Sequence, residues 1–161
     1  MIKIALALNL LFLFSNVFPM SSSSTPTLES LSKASSDIVV AEVTATKSFE
    51  EKNSIYTNYD FVVLKTIKGT LKNEEHFDLT LFGGRQGKMV SIRPGSPCFL
   101  NKKRYILFLL NAKKKVNLSY GQFSYFSATK DNTTFFDSTR RAEFSLEELV
   151  KTISKLDGQT K

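Results

Sequence analysis

Residues 54–69, SIYTNYDFVVLKTIKG, decide the fold of this chain. Apolar side chains recur along the stretch in a pattern of β-strand spacing: Ile55, Tyr59, Phe61, Val63 and Ile67. Fully extended, it would span roughly 50 Å at about 3.3 Å per residue, whereas a domain of this size is about 37 Å across. The strand must therefore coil or bend, and the apolar pair at residues 62–63 is where a β-bulge or a switch of faces would fit.

Further strands are predicted on both sides of this one. They cover residues 37–47, 76–82, 88–92, 104–110 and 123–129. Strict alternation in residues 76–82 indicates one solvated face, as in antiparallel sheets, and the nearly continuous apolar run 104–110 predicts burial on both faces. Long, coiled strands that serve two faces are typical of small closed barrels. The chain is therefore predicted to be all-β, with a small OB-like antiparallel barrel of five or six strands over residues 37–130.

Helices are predicted only outside the barrel. The Ser-rich lead-in at residues 24–36 holds one or two turns, whereas residues 131–161 form an extension with an amphipathic helix at 145–156. Ser145 and Glu148 form a capping box that starts this helix. We expect its apolar stripe to pack on the barrel, and residues 131–141 before it to be mostly irregular.

The first 23 residues have the layout of a secretory signal peptide. A positive start at Lys3 precedes an apolar run, and small residues follow at positions 21–24. The run is shorter than the roughly 20 apolar residues of a membrane span, although an uncleaved anchor is the alternative. We predict a cleaved signal, a secreted or periplasmic protein, and no transmembrane segment after cleavage.

Amino-acid composition limits the classes of function that this chain can have. The chain has 161 residues, 42% hydrophobic, with a formal net charge of +7, which permits binding to anionic surfaces but more often reflects only a soluble surface. Its single cysteine, Cys98, excludes an internal disulfide and a cysteine-based structural zinc site. Its ordinary use is as a small buried hydrophobe.

Three stretches carry a family resemblance: SSDIVVAEVTATKS (35–48), IYTNYDFVVLKTIKG (55–69) and FGGRQGKMVSIRPGSPCFLNKKRYILFLL (82–110). The pattern resembles the netrin-type, tissue-inhibitor-of-metalloproteinases-like (TIMP-like) OB barrel, as in uncharacterised exported bacterial proteins. The resemblance implies a barrel and names no activity. Animal inhibitors of this family chelate a protease zinc through an N-terminal Cys-x-Cys, and this chain has no such start, so inhibition by that route is not implied.

Catalytic and metal-binding patterns are weak. Cys98 and His76 are the only cysteine and histidine, and His76 with Asp78 and a glutamate at 74 or 75 is the one arrangement that suggests a metal. The glycines in residues 83–87 lack the Lys–Ser/Thr ending of a phosphate loop, so a turn is expected. We predict no catalytic, metal-binding or cofactor-binding residues and no cofactor.

The candidate interaction residues lie in two predicted loops, residues 83–88 and 111–121. They are basic or aromatic: Arg85, Lys88, Lys113, Lys114, Lys115 and Tyr120. Tyr120, Phe123, Tyr125 and Phe126 also have the composition of a nucleic-acid surface, but an exported chain argues against that partner, and core packing is the expected use of these aromatics. The prediction is a monomeric, non-catalytic binding module for an unknown protein partner, with a protease inhibitor acting through barrel-end loops, or an anionic-polymer binder, as alternatives.

Overall fold

The computed structural model describes residues 25–112 and 115–158, so the predicted signal peptide lies outside the described residues. The helices are α1 (Leu28–Ala34) and α2 (Leu146–Gly158). The strands are β1 (Asp37–Glu51), β2 (Ser54–Lys68), β3 (His76–Phe82), β4 (Gly84–Gln86), β5 (Met89–Ser91), β6 (Arg104–Ala112), β7 (Lys115–Leu118), β8 (Tyr125–Ala128), β9 (Thr134–Asp137) and β10 (Ala142–Ser145).

Eight of these strands form one antiparallel sheet. Its order is β10-β9-β8-β6-β1-β2-β3, with β7 also paired to β6, and β4 and β5 form a separate hairpin. The mostly-β antiparallel fold with a C-terminal helix is therefore confirmed. The closed barrel of five or six strands is wrong. One edge of β6 is divided between β7 and β8, and the sheet continues outward through β9 and β10. β7 contacts β3, but no ladder joins them among the described residues.

The long β1–β2 ribbon bends at three bulges. Successive register shifts leave Leu64 and Ile67 on β2, and Thr44 on β1, without a partner across the ribbon. Each extra residue bends its strand and increases the local twist. The ribbon therefore contains bulges, but the pair at residues 62–63 keeps regular pairing and the nearest bulge lies one residue further on.

The central strands β1 and β6 separate two apolar cores. The inner core gathers Tyr59, Phe61, Phe77, Phe99 and Tyr105 on one face of the sheet, with alternate residues of β1 and β6. The outer core uses the intervening residues of those strands. Burial of β6 on both faces is confirmed from Tyr105 to Leu109, while Leu110 is exposed.

The two helices cover the outer core. Leu31 of α1 and Leu149 and Ile153 of α2 are fully buried in it. The N-cap role of Ser145 is confirmed, since its hydroxyl accepts the Glu148 N–H at 3.1 Å; the hydroxyl also donates to the Glu148 carboxylate at 3.1 Å. Residues 131–141 were expected to be mostly irregular, but β9 occupies four of them.

A buried carboxylate fixes the turn that ends β2. Asp37 Oδ1 accepts the N–H groups of Thr70 at 2.6 Å and Leu71 at 3.1 Å, and the Ser36 hydroxyl donates to Oδ2 at 3.0 Å. Gly69 has φ +104°, and a Cβ there would lie 2.2 Å from Asp37 Oδ1. Two of the stretches that carry the family resemblance therefore meet at one contact.

Candidate functional site

A cleft beside the inner core brings together hydroxyls, two arginines and the thiol of Cys98. Its floor is the β1–β2 ribbon, and its walls are the β4–β5 hairpin and residues 92–99. The volume is about 390 Å³. The lining side chains are Thr46, Ser48, Thr57, Tyr59, Phe82, Arg85, Val90, Ser91, Ile92, Arg93, Ser96, Pro97, Cys98 and Phe99, beside Gly83 and Gly84.

Close backbone approach seats the hairpin on the ribbon. Gly84 has φ +138°, and a Cβ there would lie 2.2 Å from Thr57 Oγ1, so only glycine fits. The Thr57 hydroxyl donates to the Gly83 carbonyl at 2.8 Å and lies 2.9 Å from the Ser48 hydroxyl. The glycine pair thus lets the hairpin wall sit directly on the floor.

The charged groups of the cleft are both positive. Arg85 and Arg93 are the charged residues among its lining, and neither has a carboxylate partner within the described part of the chain. Arg85 Nε donates to the Gly87 carbonyl at 3.3 Å, which leaves further guanidinium donors for a ligand. The cleft therefore favours an anionic group.

Cys98 lies at the cleft beside Tyr59. Burial, reinforced by the adjacent Cys98 thiol, raises the pKa of Tyr59 to about 12. The Tyr59 ring packs edge-on against Phe99, with centroids 5.2 Å apart. Burial also raises the pKa of Tyr105 and of Tyr125, which surround the same ring. Since the Tyr59 hydroxyl stays protonated at neutral pH, it is unsuited to deprotonate the thiol.

Three apolar side chains beside the cleft face solvent. Met89, Val90 and Ile92 are exposed by 53%, 57% and 82%. They follow one another along β5 and its exit, and Val90 and Ile92 also line the cleft. We call these three residues the apolar rim. Exposed apolar side chains grouped next to a polar cleft are a feature of interaction sites.

The predicted interaction residues fall in separate places. Arg85 is central in β4, opposite Val90, and Lys88 lies in the exposed turn of the same hairpin. Lys113 and Lys114 lie outside the described residues, whereas Lys115 begins β7. The predicted loop at 111–121 is thus partly strand. Tyr120 follows β7, is 43% exposed and does not line the cleft.

The weaker chemical patterns have structural explanations. His76 and Asp78 are exposed at alternate positions of β3, while Cys98 lies at the cleft. Within residues 25–112 and 115–158, no group of three or more His, Cys, Asp or Glu side chains is arranged to hold a metal ion. The prediction that Cys98 is buried is wrong, because the thiol is exposed. Residues 83–88 form the expected turn, built as a hairpin.

Core packing accounts for only some of the four aromatic residues whose composition suits a nucleic-acid surface. Phe126 is buried in the outer core, and Tyr125 packs partly against the inner one. Phe123 ends a 3-10 turn and is half-buried. The four rings are therefore divided between two cores and the surface.

No protein-family model, curated protein or solved structure matches this chain. None of the helices in the described part of the chain is long and apolar enough to cross a membrane.

The sequence predicted only some of the residues that form the cleft. The glycines in residues 83–87 predicted the turn that forms one wall, and Arg85 was identified as a candidate. Arg93 and the apolar rim were missed, because a short MVSI segment has the same apolar pattern as a buried strand. Only the placement of β5 outside the main sheet exposes those side chains.

Proposed function

We propose that this protein is a non-catalytic binding module that holds a segment of a partner protein across the apolar rim and the cleft. The observation that carries the proposal is that two of the three rim residues, Val90 and Ile92, also line the cleft. Met89, Val90 and Ile92 supply exposed apolar area at the edge of a 390 Å³ cleft. Protein–protein interfaces combine apolar side chains of this kind with neighbouring polar groups and arginines.

The chemistry of the lining supports binding over catalysis. Cleft lining residues include hydroxyls, two arginines and one thiol, and no His, Asp or Glu belongs to it within the described chain. A nucleophilic thiol needs a nearby base or a depressed pKa. Tyr59, the hydroxyl beside Cys98, has its pKa moved in the direction that disfavours a base.

We also propose a family and a cellular location for this chain. Support for an OB-like, netrin/TIMP-like origin comes from the Asp37–Gly69 contact, where two of the stretches that carry the resemblance meet. Support for a secreted or periplasmic location comes from the layout of residues 1–23. We propose that the module meets its partner outside the cytoplasm.

The test is selection from a display library of unstructured peptides, panned against the folded protein. We expect enriched peptides that bind with micromolar dissociation constants, about −8 kcal/mol. The double variant Met89→Ser/Ile92→Ser should weaken binding at least about tenfold, because each apolar side chain buried at the interface contributes roughly 1–2 kcal/mol. The measurement is fluorescence anisotropy of the labelled peptide.

The matched control removes two exposed leucines away from the cleft. Leu64 and Leu110 are 37% and 39% exposed and do not line it. The variant Leu64→Ser/Leu110→Ser should bind the peptides as the unchanged protein does. Failure to enrich any peptide, or equal loss in both variants, would refute the proposal. Inhibition of a protease in a panel, abolished by the rim variant, would replace it with the regulator alternative.

A further inference from the structure

Beyond its bulge at Thr44, β1 has an unpaired edge. Its pairing with β6 covers Asp37 to Glu42, and Val43 is held by backbone bonds with Lys103 at 3.1 Å and Lys102 at 2.8 Å. Residues 45–51 of β1 then pair only with β2 within the described chain.

The direction of the edge groups follows from the register. On β2, the Ile55 carbonyl accepts the Gly83 N–H at 2.8 Å, and the Val63 N–H donates to Glu75 at 2.9 Å. Odd-numbered residues of this part of β2 therefore bond towards β3, and even-numbered ones towards β1, because antiparallel pairs alternate. Asn58 pairs with Lys47, which puts the bonding groups of Ala45, Lys47 and Phe49 on the β2 side.

The backbone groups of the intervening β1 residues point away from β2. By the same alternation, the N–H and carbonyl groups of Thr46, Ser48 and Glu50 point to the open edge. Thr46 and Ser48 also line the cleft with their side chains. The open backbone and the cleft therefore lie side by side. A strand added at this edge would alternate its side chains, with every second one on the cleft side.

We propose that the partner segment binds as an added β-strand along residues 46–50 of β1 and places an acidic side chain between Arg85 and Arg93. This inference rests on the proposed function and specifies its binding mode. Backbone pairing gives affinity in such complexes, and the pockets for alternate side chains give specificity. Lys102 and Lys103, where the β6 pairing ends, extend the positive charge along the same edge.

The acidic choice follows from charge complementarity. The charged residues lining the cleft are Arg85 and Arg93, whereas Glu50, at the end of the proposed binding edge, is not among the residues that line it. A segment with a basic side chain at the cleft would meet two like charges.

The experiment uses two kinds of probe with the full folded protein. One is a peptide enriched from the display library. The other is a set of synthetic alternating Val–Thr peptides that differ only in a central Glu, Gln or Lys. Amide hydrogen exchange is followed by NMR at each residue of β1, with and without peptide.

The proposal predicts protection at alternate residues. At a peptide concentration of 100 times Kd, exchange at Thr46, Ser48 and Glu50 should slow by up to about 100-fold. The amides of Lys47 and Phe49 are the internal control, because their bonds to β2 exist without peptide. The Glu peptide should bind about fivefold to tenfold more tightly than the Lys peptide, and Arg85→Gln/Arg93→Gln should remove that preference.

The possible failures are distinguishable. If an enriched peptide binds and depends on the apolar rim but leaves the edge amides unprotected, the strand mode is wrong and the proposed function stands. If no peptide of either kind binds, both are wrong. Protection of the same amides in the concentrated free protein, with dimers in sedimentation, would show that a second copy occupies the edge and would overturn the proposal.

Discussion

Replacing Asp37 with alanine tests whether one buried carboxylate holds the turn that ends β2. Asp37 is 1% exposed and accepts hydrogen bonds from Thr70, Leu71 and Ser36. Leu71 is itself buried, so its N–H loses its partner without gaining water, at a cost of about 2 kcal/mol. Thr70 and Ser36 are exposed and regain water, which leaves roughly 1 kcal/mol between them.

The free energy of unfolding should therefore fall by about 3 kcal/mol in Asp37→Ala. In a chain of this size that corresponds to a decrease in Tm of roughly 6–12 °C. Urea and thermal unfolding followed by circular dichroism measure it. Asp78→Ala is the matched control, because Asp78 is exposed on β3 and its loss should change stability by less than about 0.5 kcal/mol.

A double-mutant cycle with Gly69 sharpens the test. Gly69→Ala forces a side chain into φ +104° and puts its Cβ 2.2 Å from Asp37 Oδ1 and 2.6 Å from the Ser36 carbonyl. With Asp37 already alanine, the carboxylate part of that clash disappears, so Gly69→Ala should cost at least about 1 kcal/mol less. A loss below about 1 kcal/mol in Asp37→Ala, or strict additivity, would refute this account of the turn.

Three further predictions concern other parts of the molecule. Because burial raises the pKa of Tyr59 to about 12 from 10.0, its contribution to stability is complete below pH 10 and lost as the pH rises towards 12. Tyr59→Phe should remove the highest component of the tyrosinate absorbance titration, and an unchanged titration would contradict the assignment. Arg140→Ala should destabilise by about 3 kcal/mol, since it leaves the buried Asp137 carboxylate without its ion-pair partner. Adding Asp137→Asn should recover part of that loss in urea unfolding, and no recovery would argue against the pair. Ser145→Ala should cost about 1 kcal/mol through the lost cap of α2, and a neutral result would show that packing alone fixes the helix start.

Local sequence pattern predicted the elements that bury one or both faces. The bounds of β3 follow from alternation alone, and the apolar run in β6 predicted its burial. The capping pair at Ser145 and Glu148 located the start of α2 to within a residue. These features depend on neighbours a few residues away, which is the range that periodicity describes.

Strand pairing could not be predicted in the same way. Whether β6 closes a barrel depends on which strand takes its outer edge, and both β7 and β8 do so at different residues. Nothing in the local sequence of β8 or β9 distinguishes a closing strand from one that extends the sheet. The cleft escaped prediction for the same reason, since the exposure of Ile92 depends on where the hairpin lies.

Cys98 gives the molecule a built-in reporter. It is the only cysteine of the chain, it is exposed, and it lies at the cleft beside the apolar rim. A thiol-reactive fluorophore or spin label would therefore attach at one position without any engineered substitution. Its emission or mobility would change when a ligand enters the cleft, so occupancy can be followed in real time and in crude mixtures during the search for the partner.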